Sequence, residues 1–257
     1  MTDTSAKIYL VAGATRGIGL ALVNEIASRD PTAFVYAGGR NLAGSPQLEE
    51  FAAKYPGRVE IVKYVAGDAE GNQKLAEQIK EKWGRVDTVI ANAGVNNYNA
   101  KVHEFPTKNF TEHFEVNTLG PIILFQAFRS LLQASKSPRF IAISSSAGSL
   151  ELLQHMTHFY AAGYSLSKAA LNWVVRKIHY ENEWLVTFPI CPGPVHTDMS
   201  KSVLESDKSG AMSERAKSLK WHTADEAATL LMNVIEASTR EGDGGQFHSE
   251  TGGRHPW

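Results

Sequence analysis

The chain has one cysteine, Cys191, among 257 residues. A lone thiol cannot close an intrachain disulfide, which excludes a small secreted scaffold held by such bridges. No apolar run reaches the roughly 18 residues that a membrane-spanning helix needs. The opening stretch, Met1–Ala14, has no basic region ahead of an apolar core and no small-residue cleavage site, so no secretory leader is expected. An excess of one charge is lacking too. Lys and Arg number 26 against 27 Asp and Glu, for a formal net charge of -1. That balance offers nothing to a polyanion such as nucleic acid. No internal repeat and no low-complexity stretch interrupts the chain. The 9 histidines are scattered, and none stands with cysteine or carboxylate at metal-ligand spacing, so no metal is expected. These absences leave a cytoplasmic globular protein as the default.

What is present has a clear order. Hydrophobic residues make up 43% and charged residues 21%, ordinary for a globular protein, and the length suits one sizeable core. Short apolar runs at 7–13, 33–37, 59–65, 86–91, 140–144 and 185–190 read as buried strands, with a short seventh at 246–248. Apolar residues at helical spacing predict helices over 18–26, 47–54, 72–82, 110–132, 165–183 and 225–237. Alternating strands and helices predict a doubly wound α/β fold of Rossmann type. Its sheet is mostly parallel, helices cover both faces, and one domain spans residues 1–257. In such sheets ligands sit beyond the carboxyl ends of the strands. The unusual residues cluster there: Gly13–Gly19, Gly38–Arg40, Asn92–Gly94, Ser145 and Pro192–Thr197. The stretch 200–222 is polar and lacks sustained periodicity. It is expected to act as a mobile lid over the site; a solvated loop or a docked helix pair is the rival reading.

Gly13, Ala14, Thr15, Arg16, Gly17, Ile18 and Gly19 join the first strand to a helix. Glycine lets a backbone turn sharply and approach a phosphate, and the amides of the helix start then face it. The three-residue gap between Gly13 and Gly17 departs from the usual dinucleotide fingerprint. At the end of the second strand an NAD site carries an acid for the ribose hydroxyls. Here the chain reads Ala37-Gly38-Gly39-Arg40, with none. Arg40 and Arg16 are suited instead to grip a 2′-phosphate, so NADPH is expected over NADH.

Tyr164 and Lys168 stand four apart at a helix start and share a face. A free tyrosine is a poor acid near neutrality, and a nearby ammonium favours its phenolate and eases proton transfer. Ser145 follows the fifth strand and is placed to donate to a carbonyl oxygen, with Ser144 and Ser146 open as alternatives. Tyr160 is the alternative tyrosine, but no lysine stands four residues after it.

On these residues the sequence resembles the classical short-chain dehydrogenase/reductase family over nearly its full length. Gly13, Gly17 and Gly19 match its glycine motif, and Asn92-Ala93-Gly94 its Asn-Ala-Gly segment. Asn117 matches a helix asparagine that in the family helps hold the lysine and a proton-relay water. Ser145, Tyr164 and Lys168 match the catalytic residues. Pro192-Gly193, with Val195 and Thr197, matches the segment at the nicotinamide end. The resemblance implies reduction of a ketone to a secondary alcohol with NADPH. It also implies cofactor contacts at Thr15, Ile18, Ala93 and the matched residues, and a homo-oligomer, dimer or tetramer. The family's adenine-side aspartate falls at Val65, with Asp68 displaced downstream as a cofactor candidate or a helix cap.

The stretch Ser146–Gly163 is longer than the family pattern and holds His155, Met156, His158, Phe159 and Tyr160. His155, His158 and Tyr160, with Trp221, are candidate substrate contacts. The runs His179–Leu185 and Thr197–Met199 and the ending Pro256-Trp257 are similar to fungal ketoreductases of the norsolorinic acid type. That similarity implies a bulky, aromatic, polyketide-like ketone. The competing class is a lyase, cyclase or regulatory protein that binds cofactor without redox turnover. Cys191 is expected to be a buried, inert thiol. Phe125, Phe128 and Leu132 form one helix stripe, read as core or, with the 171–178 face, as a subunit interface.

Overall fold

In the first strand, β1 (Lys7–Ala12), side chains alternate between two separate cores. Ile8, Leu10 and Ala12 enter one; Tyr9 and Val11 enter the other. That is the pleat at work: successive side chains leave opposite faces of a sheet that is covered on both. The structure, a computed structural model, describes residues 6–42, 45–157, 159–207 and 210–257. The remaining strands are β2 (Ala33–Gly39), β3 (Val59–Lys63), β4 (Thr88–Ala91), β5 (Arg139–Ile143), β6 (Val186–Cys191) and β7 (His248–Ser249). All pair in parallel, in the order β3-β2-β1-β4-β5-β6-β7.

The helices are α1 (Gly17–Arg29), α2 (Pro46–Lys54), α3 (Ala69–Trp83), α4 (Thr107–Phe114), α5 (Gly120–Gln133) and α6 (Ala162–Glu181). They continue as α7 (Asp198–Glu205), α8 (Ala211–Lys217), α9 (Ala224–Ala237) and α10 (Arg240–Asp243). Helices α3, α5 and α6 cover one face through Leu75, Ile79, Leu124, Phe128, Leu171 and Val175. Helices α1 and α9 cover the other through Leu22, Val23, Ile26, Leu231 and Ile235. Strand order reverses at β1, which lies between β2 and β4. A crevice therefore opens at the carboxyl ends of β1 and β4. Among the described residues no helix is long and apolar enough to cross a membrane.

Two expectations change, and one choice between readings narrows. The helix expected over 110–132 is broken: a π turn at Glu115–Leu119 separates α4 from α5. Pro121 has no N–H to give to the carbonyl four residues back, that of Asn117, so the regular ladder cannot run through this point. The stretch 200–222 is not loop but holds most of α7 and all of α8. These helices are short and most of their apolar side chains face a cavity rather than the core, which blurred their periodicity. The stripe Phe125, Phe128, Leu132 and the face Leu171, Val175, Ile178 are buried inside this protomer. These side chains serve this protomer's own core, the first of the two readings given for them, while Trp173 on the same segment is exposed.

Candidate active site

β1 ends at Ala12 and the chain turns through Gly13 into α1. Gly13 has φ +84°, and a Cβ there would stand 2.7 Å from the Ala93 Cα, so the loops after β1 and β4 touch backbone to backbone. A Cβ on Gly19 would overlap the Gly13 carbonyl oxygen. Asn92 Nδ2 donates to that same oxygen at 2.7 Å. The N–H groups of Gly13 and Ala14 donate to the Gly38 carbonyl at 2.9 and 2.8 Å. The Ser45 hydroxyl donates to the Thr15 carbonyl at 2.8 Å. This loop is therefore held from three sides.

The loop opens on a cavity of about 1460 Å³ that runs across the carboxyl ends of the sheet. Gly13, Thr15, Arg16, Gly17 and Ile18 line it from the first loop, Arg40 from the end of β2, and Asn92, Ala93 and Gly94 from the end of β4. The first turn of α1 has no side-chain cap and no acid, so its orphan N–H groups remain available to an anion. Arg16 is paired with Asp198 at 3.4 Å, both largely exposed. Such a pair contributes little and is readily exchanged for a phosphate. This end fits the diphosphate and 2′-phosphate of a dinucleotide.

At the other end stand Ser145, Tyr164 and Lys168, with Pro192, Gly193, Val195 and Thr197 beside them. Ser144 turns away: its hydroxyl donates to Asn172 Oδ1 at 2.5 Å in the interior. Ser145 faces Tyr164 instead, and its hydroxyl also accepts the Ala147 N–H at 3.2 Å. Lys168 is buried, donates to the Ile143 carbonyl at 2.8 Å, and lies 5.7 Å from the Tyr164 ring centre. Burial pushes the Tyr164 phenol up to about 12, and the Ser145 hydrogen bond opposes that rise. Burial lowers the Lys168 ammonium to about 8. Tyr164 stays a protonated phenol, the form that can give a proton to a developing alkoxide.

Other sequence candidates fall off the cavity wall. Asp68 caps α3, its carboxylate accepting the Gly71 N–H at 2.9 Å. β3 stops at Lys63, so Tyr64, Val65 and Ala66 form the wall and Asp68 lies beyond it. Tyr160 is not among the described cavity-lining residues: its ring packs under Lys101, and its carbonyl accepts the Ala100 N–H at 2.6 Å. Gly19 and Asn117 act from behind. Asn117, in the π turn, does not hold Lys168 directly. Its amide bonds both backbone groups of Val95 at 2.8 and 2.9 Å and the Ser167 hydroxyl at 3.0 Å, so it fixes Lys168 through its neighbour. His155 and Trp221 do line the cavity. Trp221 stacks on His196 at 4.9 Å. His158 lies outside the described residues.

The structure adds wall residues that sequence reading missed. Cys191 reaches the cavity beside Ser145; its Sγ accepts the Ser146 N–H at 3.2 Å, and burial raises its pKa, so it stays a thiol. Glu250 and His255 arrive from the far end of the chain with no motif to announce them. Among the described residues no three His, Cys, Asp or Glu side chains gather as metal ligands would.

A doubly wound sheet, an uncapped helix start and a Ser-Tyr-Lys cluster facing one crevice define a nicotinamide-type oxidoreductase. The short chain dehydrogenase pattern matches residues 7–208, and the chain belongs to that family. It is 32% identical over 255 residues to a norsolorinic acid ketoreductase of Aspergillus parasiticus, covering 97% of this chain and 91% of that protein. Its fold matches the NADPH-bound carbonyl reductase from chicken fatty liver with a TM-score of 0.83 and 27% identity, over 98% of this chain and 99% of that one. A carbonyl reductase from Pseudomonas aeruginosa in complex with NADP matches with a TM-score of 0.79 and 26% identity, over 98% and 100% of the two chains.

Proposed function

We propose that the protein reduces a ketone to a secondary alcohol with NADPH, on a bulky, aromatic, polyketide-like substrate in the cytoplasm. The observation that carries this reading is one cavity with anion-binding groups at one end and Ser145, Tyr164 and Lys168 at the other. Its volume of about 1460 Å³ exceeds that of a single-ligand site, leaving room for cofactor and substrate together. The names of the fungal relative and the NADPH-bound carbonyl reductase point the same way. A reduced nicotinamide bound near Gly193, Val195 and Thr197 would supply the hydride. Ser145 orients the ketone oxygen by donating to it. Tyr164 gives that oxygen its proton, and the charged Lys168 beside it steadies the phenolate left behind. Leu152, Met156, Phe159 and Trp221 give the substrate end an apolar wall.

The test is NADPH oxidation with a panel of aromatic ketones, with the alcohol identified by mass. Cofactor binding without turnover on any ketone would favour the lyase, cyclase or regulatory class. The same assay reads Lys168. Because its buried ammonium loses a proton near pH 8, the reduction rate is expected to fall as the pH rises through that value. A rate that stays flat across that range removes the Lys168 charge from the mechanism.

Helices α7 and α8 form the lid in this reading. Val203 is the buried residue of α7, and α8 has none, so the pair is weakly anchored. Yet Leu204, Met212, Leu219 and Trp221 face the cavity. Amide hydrogen exchange in 200–222 is expected to slow when NADPH binds and again when a ketone joins it. Strong protection in the free protein, unchanged by either ligand, shows a fixed wall instead.

A further inference from the structure

We propose, resting on the ketoreductase reading, that Glu250 sets substrate specificity by accepting a hydrogen bond from a hydroxyl beside the reacting ketone. Among the described cavity-lining residues only two are acids, Asp198 and Glu250. Asp198 sits exposed at the rim, paired with Arg16. Glu250 is different. Its side chain is 17% exposed and lines the cavity. Within the described protein its carboxylate receives no hydrogen bond. The basic side chain nearest to it is His222, whose imidazole Nε2 lies 3.7 Å away, beyond hydrogen-bond reach. A carboxylate on the cavity wall with unused acceptor sites can accept from a donor that a ligand brings, and a hydrogen bond to a charged group is a strong one.

Its location gives the donor's position. The Glu250 carboxyl carbon lies 3.0 Å from where a Cβ on Gly193 would stand. Its charge is also felt at the Cys191 thiol, whose sulfur accepts the N–H of Ser146, next to Ser145. Glu250 therefore shares a wall with the group that orients the ketone oxygen. The apolar wall formed by Leu152, Met156 and Phe159 comes from a different segment. A substrate with its aromatic body on the apolar wall would bring a substituent near its carbonyl to Glu250. The carboxylate accepts from a hydroxyl there, and it repels an acid. The class selected is a neutral hydroxyketone.

Acetophenone and α-hydroxyacetophenone make the test, since they differ in one hydroxyl. The measured quantity is the ratio of their kcat/KM values in the wild type, Glu250→Gln and Glu250→Leu. Comparing ratios cancels the intrinsic reactivity of each ketone and any general loss from misfolding. A hydrogen bond to a charged acceptor predicts that Glu250→Leu lowers the preference for the hydroxyketone by about 10- to 100-fold, with Glu250→Gln intermediate. The rise in melting temperature of the NADP+ complex with each ketone reads the same preference without turnover. It should be larger for the hydroxyketone in the wild type and equal for both in Glu250→Leu. Ratios and melting shifts unchanged by either substitution overturn the proposal. So does an unchanged ratio with a raised KM for NADPH, which would place Glu250 against the cofactor. A wild type that binds the hydroxyketone preferentially but reduces neither ketone retains the Glu250 contact and sinks the reductase reading.

Discussion

Tyr164→Phe is expected to lower kcat for ketone reduction by about 10²–10⁴-fold, the usual scale for loss of a positioned general acid. The substitution removes one hydroxyl and keeps the ring. Among the described residues the only side-chain hydrogen bond lost is the one to Ser145, so the fold and the position of Lys168, set by the Ile143 carbonyl, should persist. Tyr164 faces both Ser145 and the cavity, and at about 12 its phenol is protonated throughout the neutral range. Without it, an alkoxide formed at Ser145 loses the phenol that gives it a proton. The Kd for NADPH, read by fluorescence titration, should change little. Tyr160→Phe is the control, since Tyr160 lies against Lys101 away from the cavity. Equal loss in both variants, or an active Tyr164→Phe, defeats the assignment.

The parts of this site that could be read from sequence are those where an unusual residue type marks a strand end. Gly13, Asn92 and Pro192 interrupt apolar runs, so their place in the crevice follows from alternation alone. The Tyr164–Lys168 pair is legible because a four-residue step on a helix keeps one face. Asp68 and Tyr160 show the limit of such reading. Each is a polar residue in the right stretch, but a turn of a few residues decides whether it meets the cavity or a neighbouring backbone. Asp68 meets an orphan N–H of α3, and Tyr160 meets Lys101. The π turn at Asn117 escaped because Pro121 leaves the apolar periodicity intact while removing one donor. Glu250 and His255 had no local signal at all. They reach the cavity because β7 lies at the sheet edge beside β6, a neighbour relation set by topology. Helices α7 and α8 were hidden for a related reason: most of their apolar residues serve the cavity, so they carry too weak a stripe to announce a core-facing helix.

Arg40→Asp is expected to reverse the cofactor preference from NADPH to NADH. Arg40 follows β2, is exposed, and lines the cavity next to the glycine loop. No acid stands at the end of β2, where Ala37, Gly38 and Gly39 lead into it. A guanidinium there can hold a 2′-phosphate through charge-assisted hydrogen bonds, and a carboxylate would repel the phosphate and accept from the ribose hydroxyls of NADH. Losing a hydrogen bond to a charged group costs about 1.5–3 kcal/mol, or about 10- to 100-fold in kcat/KM for NADPH. New bonds to the NADH ribose add a change of similar size in the other direction. The NADPH-to-NADH ratio of kcat/KM should therefore swing by about 10²–10⁴-fold in total. Arg16 remains as a second cation, free to leave its exposed contact with Asp198, so Arg40→Asp alone should retain some NADPH use. Adding Arg16→Ala should remove more of it. The kinetics of both cofactors, measured with one ketone in the wild type and the two variants, decide the matter. A wild type as efficient with NADH as with NADPH, or a ratio indifferent to Arg40, assigns the choice of cofactor to other residues.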